Sequence, residues 1–230
     1  MLAKINTSQP IETFIDVGAN IGQTLLKLKA INSEARYIGF EPNPKCTYYT
    51  SRLIKLNSLE GVEIVQSGLS NHRGTVNLEF ANKDIYDSSA STVPGFRPKV
   101  YQSTAVNVLP LDELIHSLSI IQLDVIKVDI EGGELEAFEG MTNTLKQFKP
   151  LLIFESLPDY QGENSARAKR QSALSTFLKS LDYNLYQIVD KRALTLKKIR
   201  AIPSHAKVEL ADYVGIPSER KPQEFNLQVD

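Results

Sequence analysis

The sequence predicts a doubly wound α/β fold: a mostly parallel sheet with helices on both faces. Three observations predict it. Short apolar runs alternate along the chain with amphipathic stretches of helical period, the pattern of repeated βα units. The first apolar run passes through a glycine turn straight into a helix. Polar or glycine-rich residues follow the ends of five predicted strands, and in such sheets ligands bind beyond the carboxyl ends of the strands.

The 230 residues are read as a single domain, 1–230, long enough to bury a sizeable core without a disulfide or metal. A formal net charge of -1 gives no global field for a phosphate backbone or an anionic membrane, so nucleic acid and membrane are set aside as partners. Cys46 is the only cysteine, which excludes an intrachain disulfide and suits a reducing compartment. The polar opening from Met1 to Pro10 does not read as a secretory signal, so the expected location is cytoplasmic.

In chain order, Thr13–Val17 reads as a buried strand. Ile21–Ile31 follows as a helix with Ile21, Leu25, Leu28 and Ile31 at helical spacing. Tyr37–Phe40 is a second strand, Pro44–Lys55 a second helix and Val62–Val65 a third strand. Thr75–Phe80 alternates apolar and polar residues after the Asn71–Gly74 turn, as a half-exposed strand does. Asn82–Tyr101 has no period and carries Ser88, Ser89, Ser91, Pro94, Gly95 and Pro98, so it reads as a long functional or disordered loop. Asp112 is expected to cap a short helix through Leu118. Val125–Asp129 is a strand, Glu134–Phe138 opens a helix, and Leu151–Phe154 is a strand. Arg167–Leu181 is a helix burying Leu174, Phe177, Leu178 and Leu181. Tyr183–Val189 and Ala211–Ile216 close the chain as strands, with an added hairpin and an antiparallel strand expected there.

The chemistry concentrates on the strand ends. Asp16-Val-Gly18-Ala-Asn20-Ile-Gly22 has Gly-x-x-x-Gly and lacks the middle glycine that a dinucleotide pyrophosphate needs. A carboxylate at Asp16 disfavours a pyrophosphate and suits a cationic ligand. Gly18 permits a sharp turn and close approach of a ligand, and Gly22 close packing at the helix start. The bland alternative is a tight turn in which Asp16 holds backbone amides. Glu41 lies 25 positions after Asp16, near the offset at which a carboxylate takes ribose hydroxyls. Its alternative role is charge complementarity at the following helix N-terminus. Alternation would put Lys127, Asp129 and Glu131 on one side of their strand. A lysine in a central strand needs an anionic partner, and Asp129, Glu155 or Asp16 could supply it. That residue set is either an ion-pair network or a catalytic cleft.

Four blocks in order carry a family resemblance: Phe14–Gly22, Gly39-Phe-Glu-Pro-Asn-Pro44, Gly68-Leu-Ser70 with Gly74, and Ile126-Lys-Val-Asp-Ile-Glu-Gly-Gly-Glu134 with Gly140. Together they resemble the FkbM family of methyltransferases over Phe14 to Glu155. The resemblance implies a class I methyltransferase (Rossmann-like) fold, seven strands in the order 3-2-1-4-5-7-6 with the last strand antiparallel. It implies S-adenosyl-L-methionine as methyl donor and a hydroxyl on a small molecule, sugar or natural product as acceptor. By position, Asp16, Gly18, Asn20 and Gly22 would form the turn at the methionine end, and Glu41 would hold the ribose. Ser67 and Leu69 would lie by the adenine, and Asp129 under the methyl group with Glu131 beside it.

Asp129 is the expected general base. One rival is a Mg²⁺ ion on Asp129, Glu131 and Glu155 orienting a diol or catechol; another is a non-catalytic nucleoside-binding module. His72, His116 and His205 have no ligand-like spacing, and Cys46 reads as a packing residue. The basic residues Lys191, Arg192, Lys197, Lys198 and Arg200 read as a solvated hairpin face, or as a dock for an anionic or carrier-linked substrate.

Overall fold

The computed structural model describes residues 1–83, 89–96, 98–159 and 165–229; Ser88 of the expected loop lies outside the described residues. In chain order the elements are α1 (Leu2–Ser8), β1 (Thr13–Val17), α2 (Gln23–Ile31), β2 (Arg36–Phe40), α3 (Pro44–Leu56), β3 (Val62–Val65), β4 (Gly68–Leu69), β5 (Gly74–Phe80) and β6 (Gln102–Leu109). They continue with β7 (Val125–Val128), α4 (Glu134–Glu139), α5 (Thr142–Phe148), β8 (Leu151–Glu155), α6 (Ala166–Ser180), β9 (Tyr183–Asp190), β10 (Thr195–Ile199), β11 (Asp212–Pro217) and β12 (Gln228–Val229).

The large sheet has nine strands in the order β12-β10-β9-β11-β8-β7-β1-β2-β3. Its inner seven, from β3 to β9, reproduce the order 3-2-1-4-5-7-6, with β11 antiparallel to both neighbours. The seven-strand expectation falls short by two, because β9 turns back into β10 as the added hairpin and β12 pairs onto β10. Alternation along each strand divides the core between the two faces. Phe14, Tyr37, Val125 and Ile153 pack on one face with Leu25 and Leu28 of α2. Ile15, Val17, Ile38, Phe40, Ile126, Val128 and Phe154 pack on the other with Phe138, Leu145, Leu174 and Leu178 of α4, α5 and α6. Burial of each large side chain contributes roughly 1.5–3 kcal/mol, so both faces need a helical cover.

Local chemistry starts the helices. Asn43 caps α3 by accepting from the Lys45 amide at 3.0 Å, with Pro44 at the first helical position. Ser165 caps α6 through the Ala168 amide at 3.0 Å.

Two departures from the sequence reading bear on the site. Gln102–Leu109 forms a strand that was not expected, and it pairs with β5 and β4 in a separate three-stranded sheet. This small sheet carries Gly68 and Leu69 away from the large one. Gly140, at the end of α4, packs against the residue after β4: a Cβ there would lie 1.9 Å from the Ser70 carbonyl oxygen. The second departure concerns Asp112. It does not begin an α-helix to Leu118; Leu111–Glu113 is a single 3₁₀ turn. Its carboxylate instead caps α5 from outside, accepting from the Asn143 amide (2.9 Å), the Thr144 amide (2.8 Å) and the Thr144 hydroxyl (2.6 Å).

Met141, the residue before α5, supplies no side-chain cap of its own. Asp112→Ala is therefore expected to destabilise the fold by about 1–2 kcal/mol, the upper range for a lost N-terminal cap. Urea denaturation of the two proteins measures it, and an unchanged midpoint would show that water replaces the carboxylate.

Candidate functional site

β1, β2 and β7 end side by side, in parallel register, at one edge of the sheet. β1 leads into a turn with Gly18 at φ +90°, Asn20 at φ +47° and Gly22 at φ +84°. Left-handed backbone at two glycines and an asparagine is the least costly way to reverse the chain before α2. Gly18 has a second reason to lack a side chain. A Cβ would lie 2.1 Å from the Asp129 carbonyl oxygen, so the close approach there is by the protein's own β7 exit before any ligand. At Gly22 a Cβ would press on Leu53 and Thr50 of α3, as expected for a packing glycine.

Asp16 is fully buried at the end of β1. Its Oδ2 accepts from the Tyr37 hydroxyl at 2.5 Å, and its Oδ1, without a hydrogen bond, lies 3.6 Å from the Lys127 ammonium. Asp16 thus holds a tyrosine and a lysine beneath the turn and, among the described residues, no backbone amide. Burial pushes its carboxyl above the ordinary range, while Lys127 and Tyr37 pull it back. Lys127 also donates to Asp129 Oδ2 at 2.8 Å. Burial alone would lower the Lys127 pKa, but the two carboxylates outweigh it and hold it above the usual lysine value. The strand ends at Val128, so Asp129 stands just outside it with its side chain 47% exposed.

Glu41 is buried at the end of β2. Oε2 accepts from the Asn20 amide and Oε1 from the Asn43 amide, both at 2.8 Å. Each oxygen keeps one lone pair for another donor. Burial raises its pKa to about 7 against the pull of those two amides.

A cleft of about 70 Å³ joins these parts, lined by Gly18, Asn20, Glu41, Leu69, Asp129 and Glu131 among others. Ser67 is not in its wall; its hydroxyl is shared between the Gly68 and Asn107 carbonyls, both at 3.0 Å. Cys46 lines the cleft, with its sulfur 3.8 Å from Asn20 Oδ1. Glu155 lies near Asp129, and burial together with Asp129, Glu131 and Asp212 raises its pKa to about 7. Among the described residues no three His, Cys, Asp or Glu side chains gather as a metal-ligand set, the trio Asp129, Glu131 and Glu155 included. No helix among them is long and apolar enough to cross a membrane.

The model of the methyltransferase FkbM domain matches residues 16–186, three quarters of the chain. The chain belongs to the FkbM methyltransferase family. Its relatives include methyltransferase sdnD of Sordaria araneosa, 28% identical over 55% of this chain and 59% of the relative. Hexuronic acid methyltransferase AglP of Haloferax volcanii is 26% identical over 77% of this chain and 69% of the relative. Among solved structures, methyltransferase FkbM from Methylobacillus flagellatus KT superposes with a TM-score of 0.56 at 16% identity, covering 89% of this chain and 43% of that one. A putative caffeoyl-CoA O-methyltransferase from Staphylococcus aureus gives 0.54 at 10% identity, covering 94% and 80%. These two likenesses establish the class I methyltransferase fold. The chain spans about three fifths of the length of sdnD and less than half of the M. flagellatus chain.

The methyl donor of the FkbM family is S-adenosylmethionine, and the cleft has the chemistry for it: a carboxylate with spare lone pairs among Phe40, Pro42 and Leu69. Its room is another matter. Ligand pockets run to about 300–1,000 Å³, and Leu78, Ala90 and Thr92 also line this smaller one.

A larger cavity of about 400 Å³ lies on the other side of Gly132–Gly133, and sequence reasoning missed it. Gly132, at φ +90°, faces the Phe96 ring so closely that a Cβ would lie 2.4 Å from it. The Arg167 guanidinium also lies over that ring, 4.4 Å from its centre. Ser91 ties the same segment down by donating to the Glu131 carbonyl at 2.5 Å. Glu134 lines the cavity, is buried, and accepts from the Gly132 amide at 2.9 Å. The only sequence signals were an aromatic residue within a Gly/Pro-rich loop and a second acid after Gly132-Gly133.

Burial raises the Glu134 pKa to about 8; Glu131 adds to the rise, while the Gly132 amide and Arg170 oppose it. The unfolded glutamate titrates near 4.5. The folded state therefore binds this proton more tightly. The resulting stability is complete below about pH 4.5 and is lost as pH rises through about 8. Glu41 and Glu155 act in the same direction. The melting temperature should fall between pH 5 and pH 8, and fall less in Glu134→Gln, which keeps the acceptor for Gly132. Equal slopes in calorimetry would mean that Glu134 is ionised in the folded protein.

Proposed function

We propose that this chain transfers a methyl group from S-adenosylmethionine to a hydroxyl oxygen of a small-molecule or sugar acceptor. The observation that carries the reading is the placement of Asp129: a half-exposed carboxylate, oriented by Lys127, in the same cleft as the Gly18 turn and Glu41.

When bound, the cofactor supplies an electrophilic methyl on a sulfonium sulfur. The residues divide the remaining work. Glu41 takes the vicinal diol of the ribose with the lone pairs that its two amide bonds leave over. Hydrogen bonds from those hydroxyls favour the ionised carboxylate, against the burial that raises its pKa. Gly18 and Asn20 shape the turn beside the methionine end, with Asp16 acting from beneath through Lys127. Leu69 offers an apolar surface to the adenine. Ser67, whose O–H is directed at two carbonyls, contributes through the backbone it holds. Asp129, with Glu131 next to it in the wall, receives the acceptor proton. A positioned base contributes about 10²–10⁴-fold, and alignment of acceptor and methyl several kcal/mol more. The hexuronic acid named for the H. volcanii relative supports sugar acids as the first acceptors to screen.

Calorimetric titration with S-adenosylhomocysteine should show one site per chain. Glu41→Ala should weaken it by about 1.5–3 kcal/mol, the range for hydrogen bonds to a charged group. Asp129→Asn should leave that affinity intact and lower turnover about 10²-fold or more. Absence of S-adenosylhomocysteine binding to the native chain defeats the whole reading. Normal turnover in Asp129→Asn removes only the base.

A further inference from the structure

The 400 Å³ cavity beyond Gly132 has walls of mixed charge, and the balance among them points to one class of ligand. Arg170 is already neutralised: its two terminal nitrogens engage both oxygens of Glu136, and one also donates to the Gly132 carbonyl. Arg167 is not. Among the described residues it has no carboxylate partner; Nη1 donates to the Pro158 carbonyl at 2.8 Å, and Nη2 only weakly, at 3.5 Å, to the Phe96 carbonyl. The guanidinium has five N–H donors, so most remain for a ligand. Phe96 and Pro158 fix its position from two sides. Ala166 and Arg167 are also the first two residues of the fifteen-residue helix α6, and its positive end adds to the field of the guanidinium.

The same walls carry two acids. Glu134, with a pKa near 8, is mainly uncharged at neutral pH and can donate a hydrogen bond without repelling an anion. Asp159 is buried in the same wall. An apolar ligand would leave the Arg167 donors and the Glu134 carboxyl unmatched on desolvation, and a cation would face Arg167.

We propose that this cavity is the acceptor site and that it takes a polyhydroxylated molecule bearing one anionic oxygen group, with Arg167 as the residue that selects for the anion. The proposal rests on the methyl-transfer reading. It adds that the anion is an anchor held at Arg167, apart from the hydroxyl to be methylated near Asp129.

The test uses D-glucuronate, D-glucose 6-phosphate and D-glucose as probes, titrated by saturation-transfer NMR with S-adenosylhomocysteine present. The native chain should bind at least one of the two anionic sugars about tenfold or more tightly than glucose, the size of a charge-assisted hydrogen bond. Whether carboxylate or phosphate binds better assigns the anion, and either supports the proposal. Arg167→Leu should erase the preference and Arg167→Lys retain part of it. Because Arg167 also ties Pro158, a second variant leaves it in place: Ala166→Glu sets a carboxylate at the cavity wall and should weaken the anionic sugar about tenfold while glucose is unaffected. Equal binding of all three sugars, binding of none, or an anion preference that survives both Arg167→Leu and Ala166→Glu overturns the assignment. Titration of S-adenosylhomocysteine alone on the same samples keeps the two readings apart. Its loss in the native chain defeats methyl transfer; its retention without anion preference defeats only the acceptor site.

Discussion

A lysine in the middle of a parallel sheet sets the terms for everything around it. Lys127 lies on β7, flanked by β1 and β8, where an ammonium without partners would cost several kcal/mol. Two carboxylates answer it from opposite sides. Asp16 does so from inside the protein, with its other oxygen accepting from the Tyr37 hydroxyl, and Asp129 from the rim. The ion pairs and hydrogen bonds thereby tie β1, β2 and β7 together at their carboxyl ends, where the cleft opens. The two acids differ in environment and so in use. The buried one is a fixed counterion, and the half-exposed one can still meet a ligand. The alternatives of ion-pair network and reactive cleft are therefore not exclusive: the network orients the carboxylate that the cleft exposes.

Much of this was legible because it is local. Strand periodicity and the Gly18–Gly22 turn follow from residues within a few positions of one another. The need of Lys127 for an anion could also be read from its strand, and two of the three partners considered are the ones it has. What escaped depended on contacts distant in sequence. Asp112 reads as a cap for the residues after it, yet it caps α5 some thirty positions on, because the chain returns there. Gln102–Leu109 does alternate, with Val106 and Val108 buried, but the aperiodic stretch before it obscured its start. Gly18 was read as room for a ligand, whereas its nearest constraint is the Asp129 carbonyl across the sheet. Glu134 passed as an ordinary helix-opening acid, since burial and not residue type raises its pKa.

The Glu131–Glu134 segment organises two spaces at once. Glu131 and Gly133 face the small cleft, and Gly132 and Glu134 the large cavity. Gly132 and Gly133 put no side chain between the two spaces. Phe96 and Ser91 brace the partition from the same neighbouring segment.

That segment belongs to an excursion between two paired strands, to which it is bridged by Ser91 and Glu79. Phe80 and Gln102 are partners at the open end of the β5–β6 ladder, and the ladder runs in unbroken register from there to Gly74 and Val108. The described residues between 80 and 102 thus lie on a hairpin stem, outside the nine-stranded sheet. Loop-closure entropy grows only logarithmically with length, so the stem tolerates a longer or shorter insert at small thermodynamic expense. A lineage could exchange the insert, and with it the wall of the large cavity, while β1, β2 and β7 kept their strand ends unaltered. A new insert therefore reshapes both spaces at once, because Ala90 and Thr92 line the small cleft and Phe96 the large cavity, while Gly132 stays glycine whatever the insert brings, since its backbone φ of +90° strains any other residue.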